Sequence, residues 1–214
     1  KLSAVEYVSE LMSHIKLREP NVEAWAFLNE DLVKSYAKTI DEKRSNNLQK
    51  SFAGIPIGIK DIIDTRDFPT ENGSKTCLGR KPKEDAHLVK LLRENDVIIF
   101  GKCVTTEFAL SAPGKTKNPN DLECTPGGSS SGSAAAVADK MIPTSIGTQT
   151  GGSVLRPASF NGIIGFKPTF GSISRSGISP ISHRLDHPGV YARCIDDIRI
   201  ISVSYTHLRA HETP

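Results

Sequence analysis

The sequence lacks a long apolar run and a leading apolar segment. No stretch approaches the roughly 20 apolar residues that cross a bilayer. Residues 1–6, Lys-Leu-Ser-Ala-Val-Glu, carry charge and polarity where a signal peptide would be apolar. We therefore predict a cytoplasmic protein with no membrane association, although a chain that begins without Met leaves the native start open.

The sequence also lacks a strong excess of one charge and any paired cysteine motif. Its formal net charge is +3, and basic and acidic residues are interspersed, so no basic stripe indicates nucleic acid as a partner. The four cysteines are far apart, without a Cys-x-x-Cys pair or a nearby histidine at metal-ligand spacing. Reduced thiols and no metal are expected.

Length and composition predict one globular domain or part of one. The 214 residues are 37% hydrophobic and 24% charged, as in ordinary globular proteins. Ser3 and Glu6 have the spacing of a capping box and precede apolar residues at helical spacing, which predicts a first helix. A second helical pattern covers 22–43, with Trp25 in its apolar stripe.

The following segments predict alternating strands and helices. Residues 55–59 have the pattern of a strand in which Pro56 favours an edge or terminal position. Residues 87–95 are typical of a helix, and 97–100 of a fully buried strand. This order predicts an α/β protein.

Two loops rich in glycine and serine are the most unusual feature. One, at 125–133, leads into an alanine-rich helix start; the other, at 147–153, follows a strand-like segment at 142–146. Glycine lets backbone amides converge on a ligand beside an exposed hydroxyl, an arrangement suited to acyl transfer. No histidine lies in either loop, but a buried lysine of lowered pKa can act as base.

Two alternatives to catalysis stay open for these loops. Helix N-termini and glycine nests also bind phosphate, although neither loop has the Gly-Lys-Ser/Thr ending of a P-loop. A flexible surface linker is the other alternative, although linkers seldom alternate so closely with apolar strands. Composition alone does not decide between catalysis and turn structure.

Three motifs in order resemble the amidase signature family. They are Gly-Ile-Lys-Asp at 58–61, Pro-Gly-Gly-Ser-Ser-Ser-Gly-Ser-Ala-Ala at 126–135, and Gly-Thr-Gln-Thr-Gly-Gly-Ser at 147–153. Asn-Pro at 118–119 and Gly-Ile-Ile-Gly-Phe-Lys-Pro-Thr at 162–169 support the resemblance. It implies a mixed β-sheet core flanked by helices, of which this chain would hold the N-terminal portion.

The resemblance also implies a Ser–Ser–Lys triad that hydrolyses an amide through an acyl-enzyme without metal or organic cofactor. Ser153 would be the nucleophile, Ser129 the bridging serine after a cis peptide bond, and Lys60 the base. The amides of Thr150, Gly151 and Gly152 would form the oxyanion hole. The substrate would be a small-molecule amide; an oligomer is possible, but the sequence does not show one.

Each triad residue also has a structural alternative. Lys60 could form a solvated surface pair with Asp61, as most lysines are exposed. Ser129 could cap the following helix, and Ser153 could cap a turn.

One departure from the family pattern concerns the substrate. Many members have Asp and Arg where this chain has Gln149 and Leu155, and the arginine follows one residue later, at Arg156. This variant resembles small-substrate amidases, including malonamidase-like ones in which an arginine at this offset holds a substrate carboxylate. We therefore consider Arg156 either a carboxylate-binding residue or a structural tie for the loop.

The resemblance leaves two further functions open. The chain could belong to a glutaminase like those of the glutamine-dependent aminoacyl-tRNA amidotransferases, which feed ammonia to a partner. It could also be a non-catalytic, anion-binding module that uses the glycine loops.

The C-terminal segment does not resemble amidase sequence. Residues 203–213, Val-Ser-Tyr-Thr-His-Leu-Arg-Ala-His-Glu-Thr, are similar to a translated transposase-type sequencing-library adapter. We therefore predict a partial amidase domain at 1–202 and a non-native tail at 203–214. A half-domain leaves sheet edges and apolar faces uncovered, so we expect the chain as written to aggregate or stay partly unfolded, and to be inactive by itself.

Overall fold

The computed structural model describes residues 2–50 and 52–206. In these residues a mixed sheet of six strands is flanked by six α-helices, which confirms the predicted fold class. The helices are α1 Ala4–Val22, α2 Glu30–Ser45, α3 His87–Glu94, α4 Ser131–Ala138, α5 Leu155–Asn161 and α6 Ile195–Thr206. The strands are β1 Trp25–Leu28, β2 Pro56–Lys60, β3 Ile98–Cys103, β4 Thr144–Gln149, β5 Ile164–Phe166 and β6 His187–Ala192.

The order of the sheet brings the ends of two predicted motifs together. The strands lie in the order β1-β3-β2-β4-β6-β5, and β2 runs parallel to both β3 and β4. Carboxyl ends of parallel strands meet at one edge of a sheet. Lys60, the last residue of β2, and the glycine loop after β4 therefore lie at the same edge.

The first helix begins where the sequence predicts. The amide of Glu6 donates to Ser3 Oγ at 3.1 Å, and the Ser3 amide donates to Glu6 Oε2 at 2.8 Å, which completes the capping box. The helix buries an apolar stripe that includes Val8, Leu11 and Ile15.

The second predicted helix, over 22–43, is wrong in its first part. Trp25 belongs to β1, which pairs antiparallel with β3, and its ring lies 5.7 Å from that of Phe100. Asn29 then caps α2 by accepting from the Leu32 amide at 3.0 Å. A helix-like spacing of apolar residues thus concealed a short edge strand whose partner lies far along the chain.

The other strands are placed correctly but with shifted bounds. Pro56 is the first residue of a central strand, so the terminal position that its missing N–H favours is confirmed. The strand predicted at 97–100 extends to Cys103, and every residue of β3 is buried. The strand predicted at 142–146 begins at Thr144, after Pro143, and continues to Gln149.

The predictions about cysteines, membrane helices and the C-terminal segment can be compared with the structure only for the described residues. No disulfide joins any of the four cysteines in the described residues. In residues 2–50 and 52–206, no helix has the length and apolar character needed to cross a membrane. The proposed adapter-derived segment, 203–213, lies outside the described residues from 207 onward, and α6 extends through Thr206.

Candidate active site

Lys60 is buried at the end of β2 with its amine directed at two hydroxyls. Its Nζ lies 2.7 Å from Ser129 Oγ and 2.9 Å from Thr148 Oγ1. Burial lowers the pKa of Lys60 well below its usual value, because the surroundings solvate a charged amine poorly, and the negative charge of Asp186 opposes this shift only in part. The neutral amine required of a general base is therefore favoured.

The alternative of a solvated Lys60–Asp61 pair is wrong. Asp61 is buried and lies with its Oδ1 3.3 Å from Nζ of Lys102, a second buried lysine on the adjoining β3. The Asp61 carboxylate also accepts from the amides of Glu71 and Gly73. Burial lowers the pKa of Lys102 to about 8. Lys102 thus forms an ion pair with Asp61 and also contacts the Thr70 hydroxyl, whereas Lys60 contacts two hydroxyls.

The serine-rich loop packs against the sheet through its hydroxyls. Ser129 follows a cis peptide bond from Gly128 and faces Lys60. Ser130 Oγ donates to the carbonyl of Thr148 at 3.1 Å and accepts from its amide at 3.2 Å. This double contact holds the backbone of Thr148, the residue of β4 whose hydroxyl contacts Lys60.

A single glycine allows α4 to approach the sheet this closely. A Cβ at Gly132 would lie 2.1 Å from the carbonyl oxygen of Ala24 and 2.4 Å from the amide nitrogen of Val104. The cap position of α4 belongs to Ser130, without a side-chain cap bond, so Ser129 is not the capping serine. That alternative for Ser129 is therefore wrong.

The loop after β4 is held at both ends while its centre stays open. Gln149 Oε1 accepts from the amides of Val154 and Leu155 at 2.8 and 2.9 Å, so Gln149 rather than Ser153 caps the start of α5. The hydroxyl of Tyr191 donates to the Ser153 carbonyl at 3.0 Å. The alternative that Ser153 is merely a cap is therefore wrong.

The glycine pair in this loop borders empty space. A Cβ at Gly151 would meet no atom within 4 Å, and one at Gly152 would meet only Arg156 Cβ, at 3.9 Å. The hydroxyl of Thr150, which precedes the pair, donates to Asp186 Oδ1 at 2.5 Å. Backbone amides at such a position can approach a ligand without steric hindrance.

The three predicted triad residues differ in exposure in a consistent order. Lys60 is 0% exposed, Ser129 1% and Ser153 8%. A base needs burial to be neutral, whereas a nucleophile needs access to substrate. Lys60 and Ser129 are in contact, whereas no hydrogen bond joins Ser129 to Ser153 among the described residues, so the structure brings together two of the three predicted residues.

Arg156 is exposed and contacts the loop before Ser129. Its Nε donates to the carbonyl of Gly128 at 3.0 Å, which is the structural tie considered from the sequence. The same side chain borders a cavity of about 270 Å³ whose other walls include Thr106, Leu110 and Gly127. Neither Ser129 nor Ser153 lines this cavity, so the contact that the structure shows for Arg156 is the structural tie, and its role in substrate binding stays a prediction.

The sequence predicts no structural role for three residues of the site, although Gln149 is a departure from the family pattern. Thr148 and Gln149 lie within a motif that was recognised, but only the register of β4 reveals which side chain faces Lys60 and which caps α5. Asp186 lies far downstream and carries no local signal. Among the described residues, no three His, Cys, Asp or Glu side chains are grouped so as to hold a metal ion.

A comparison with models of protein families shows which family has this site. The family model described as Amidase matches residues 6–207. This chain belongs to the amidase family. Its place in that family confirms the resemblance inferred from the three motifs.

Curated relatives and solved structures extend this amidase assignment. The chain is 40% identical over 203 residues to a glutamyl-tRNA(Gln) amidotransferase subunit of Clostridium acetobutylicum, covering 92% of this chain and 42% of that protein. It is 42% identical over 204 residues to the corresponding protein of Latilactobacillus sakei, covering 92% and 41%. The native peptide amidase of Stenotrophomonas maltophilia superposes with a TM-score of 0.92 at 32% identity, covering 98% of this chain and 46% of that one.

These relatives are much longer than this amidase chain. It spans about two fifths of the length of the curated relatives and just under half of the peptide amidase. The matched part includes all three motifs and the site around Lys60. The activity, substrate and partners of the full-length protein are therefore proposed below.

Proposed function

We propose that this chain carries the acylating site of an amide hydrolase. The observation that supports this most is the fully buried Lys60, whose Nζ lies 2.7 Å from Ser129 Oγ. A buried, neutral amine beside a serine hydroxyl can remove that hydroxyl's proton, as an exposed, protonated lysine does not. A carboxylic amide is the substrate class of the family, and a cytoplasmic location stays a prediction from the sequence.

The proposed reaction begins with proton transfer toward Lys60. Ser129 gives its proton to Lys60 and takes one from Ser153, whose oxygen then attacks the amide carbonyl carbon. The amides of Thr150, Gly151 and Gly152 would donate to the oxygen that becomes negatively charged. The relay returns a proton to the leaving nitrogen, so that ammonia or an amine departs and an acyl-enzyme forms.

Water completes the proposed cycle. It attacks the acyl carbon of the ester on Ser153, the C–O bond to serine breaks, and the product is a carboxylic acid. The same hydroxyls and amine move the protons in this half, and the same amides bind the oxyanion. No metal or organic cofactor takes part in these steps.

We further propose that residues 203–214 are a non-native tail and that the native domain continues beyond 202 in other sequence. The adapter similarity at 203–213 supports this, although the family match runs five residues into that segment, to residue 207. The length of the relatives is also in keeping with a longer protein. Activity is therefore tested on the product of the uninterrupted gene, called the parent protein here.

Turnover by the purified parent protein tests the proposed function. We expect release of ammonia or amine from simple carboxylic amides without any added protein. The relatives named as glutamyl-tRNA(Gln) amidotransferase subunits favour a second candidate, a glutaminase that feeds ammonia to a partner. That candidate would be favoured if glutamine were the only amide hydrolysed and if ammonia were released only when a partner protein is present. If the parent protein hydrolysed no amide under either condition, both candidates would be contradicted.

We propose that Arg156 binds the carboxylate of an anionic substrate. Replacing Arg156 by alanine is expected to lower kcat/KM for a substrate with a free carboxylate roughly tenfold or more beyond the loss for its neutral analogue, because a charge-assisted pair is lost. Arg156→Lys serves as the matched variant: it keeps the charge but lacks the Nε that donates to Gly128. Equal losses on both substrates would leave Arg156 only the structural role.

A further inference from the structure

Asp186 ties the oxyanion segment to a separate loop. It is buried just before β6, and its Oδ1 accepts from the Thr150 hydroxyl at 2.5 Å. Its Oδ2 accepts from the amides of Ile181 and Ser182 at 2.7 and 2.8 Å. Both carboxylate oxygens thus accept hydrogen bonds, Oδ1 from the glycine loop and Oδ2 from the loop that precedes β6.

The glycine pair next to Thr150 depends on such external contacts. Glycine has the largest backbone freedom of any residue, and Gly151 and Gly152 have no side chains that could pack. On one side, Tyr191 holds the Ser153 carbonyl; on the other, the Thr150 hydroxyl is held by Asp186. The Gly152 carbonyl also accepts from the Arg156 amide at 2.8 Å, so contacts at Thr150, Gly152 and Ser153 hold this segment.

The same carboxylate acts on the buried amine. Burial lowers the pKa of Lys60, and the negative charge of Asp186 opposes that larger shift. Arg175 and His187 border the small cavity beside Asp186, and burial lowers the pKa of His187, so a neutral imidazole is favoured there. The geometry therefore gives Asp186 an influence on two parts of the site that are distant from it in sequence.

We propose that Asp186 is a positioning residue of this site: through Thr150, it fixes the direction of the Gly151 and Gly152 amides. The proposal rests on the proposed function, because only an acylating site needs these amides aligned on an oxyanion. Misalignment there weakens an interaction made mainly in the transition state, so kcat falls while KM changes little. A role in folding alone would lower stability without this kinetic signature.

Substitutions at Thr150 separate the hydroxyl from its surroundings in the parent protein. Thr150→Val keeps the shape and removes the donor to Asp186, whereas Thr150→Ser keeps the donor. We expect Thr150→Val to lower kcat roughly 10- to 100-fold with KM within about twofold, and Thr150→Ser to restore most of it. Amide hydrogen exchange over 150–153 should be faster in Thr150→Val than in Thr150→Ser.

Asp186→Asn tests the charge with the packing preserved. An asparagine can still accept from the amides of Ile181 and Ser182 while its NH₂ donates to Thr150. Without the carboxylate the pKa of Lys60 falls further, so the acid limb of the pH profile of kcat/KM is expected to move to lower pH. Thr150→Val should leave the midpoint of that limb in place.

Asp96→Asn is the matched control. Asp96 is also buried, and its carboxylate accepts from the Lys50 amide at 2.9 Å and from Lys43 Nζ at 2.5 Å, with no contact to the site. Asp96→Asn is expected to lower Tm. It should neither move the acid limb of the pH profile of kcat/KM nor lower kcat while KM stays constant.

Equal kcat and equal hydrogen exchange in Thr150→Val and Thr150→Ser would overturn the proposal. An acid limb that does not move in Asp186→Asn would contradict the influence of the Asp186 charge on Lys60. Hydrogen exchange also separates this proposal from the proposed function. If the wild-type parent protein turned over no amide, the function would fail, and exchange over 150–153 would still decide whether Asp186 holds the segment.

Discussion

Replacing Ser153 by alanine is expected to lower kcat for amide hydrolysis by roughly 10³-fold or more in the parent protein. The substitution removes the oxygen that would form the acyl bond, and no neighbouring group can replace it. The Ser153 carbonyl, which accepts from Tyr191, and the capping of α5 by Gln149 do not depend on the hydroxyl. We therefore expect Tm to stay within about 2 °C of wild type.

Ser159→Ala is the control for this prediction. Ser159 is an exposed serine of α5, the helix that follows the glycine loop, and it lies outside the contacts that hold the loop. Steady-state kinetics should show activity near wild type for this variant. Activity of Ser153→Ala within tenfold of the control would contradict the assignment of the nucleophile.

The second large effect is expected from the two buried lysines. Lys60→Met should lower kcat roughly 10²- to 10⁴-fold, because it removes the base while an apolar chain of similar length fills the space. Its cost in stability should be smaller than that of Lys102→Met, because it leaves two hydroxyls rather than a buried carboxylate without a partner. Lys102→Met should instead lower the free energy of unfolding by about 3 kcal/mol or more, because it leaves the buried Asp61 carboxylate without its partner.

Activity should follow the protonation of Lys60. The neutral amine is the active form, and a base is neutral above its pKa, so kcat/KM should rise with pH through the pKa of Lys60 and then level off. Because burial lowers that pKa, the rise should occur well below the ordinary pKa of lysine. A pH profile that rises only near the ordinary pKa, or equal kinetic losses in Lys60→Met and Lys102→Met, would contradict this role.

The sequence predicted the fold class correctly, but it placed Trp25 in a helix instead of β1. Lys60, Ser129 and Ser153 lie in motifs whose order and residue types point to acyl transfer. In the structure Lys60 and Ser129 make the expected contact. Their roles as base and relay stay predictions until the kinetics are measured.

The features that the sequence did not predict depend on contacts between distant segments. Trp25 has helical spacing to its apolar neighbours, and only the antiparallel partner strand β3 makes it part of β1. Likewise, nothing near Asp186 in sequence indicates that its carboxylate meets Thr150. Long-range strand pairing and the folding of loops over one sheet edge create these contacts, and a local pattern carries no signal of either.

Reaction with a serine-directed fluorophosphonate probe, followed by peptide mass mapping, tests the central claim most directly. A fluorophosphonate forms a covalent bond only with an activated serine, so the wild-type parent protein should be labelled at Ser153. Labelling should disappear in Ser153→Ala and slow strongly in Lys60→Met, with Lys102→Met and Ser159→Ala close to wild type. Absence of labelling in the folded wild-type protein, or a label on another residue, would contradict the claim that Lys60 and Ser129 activate Ser153.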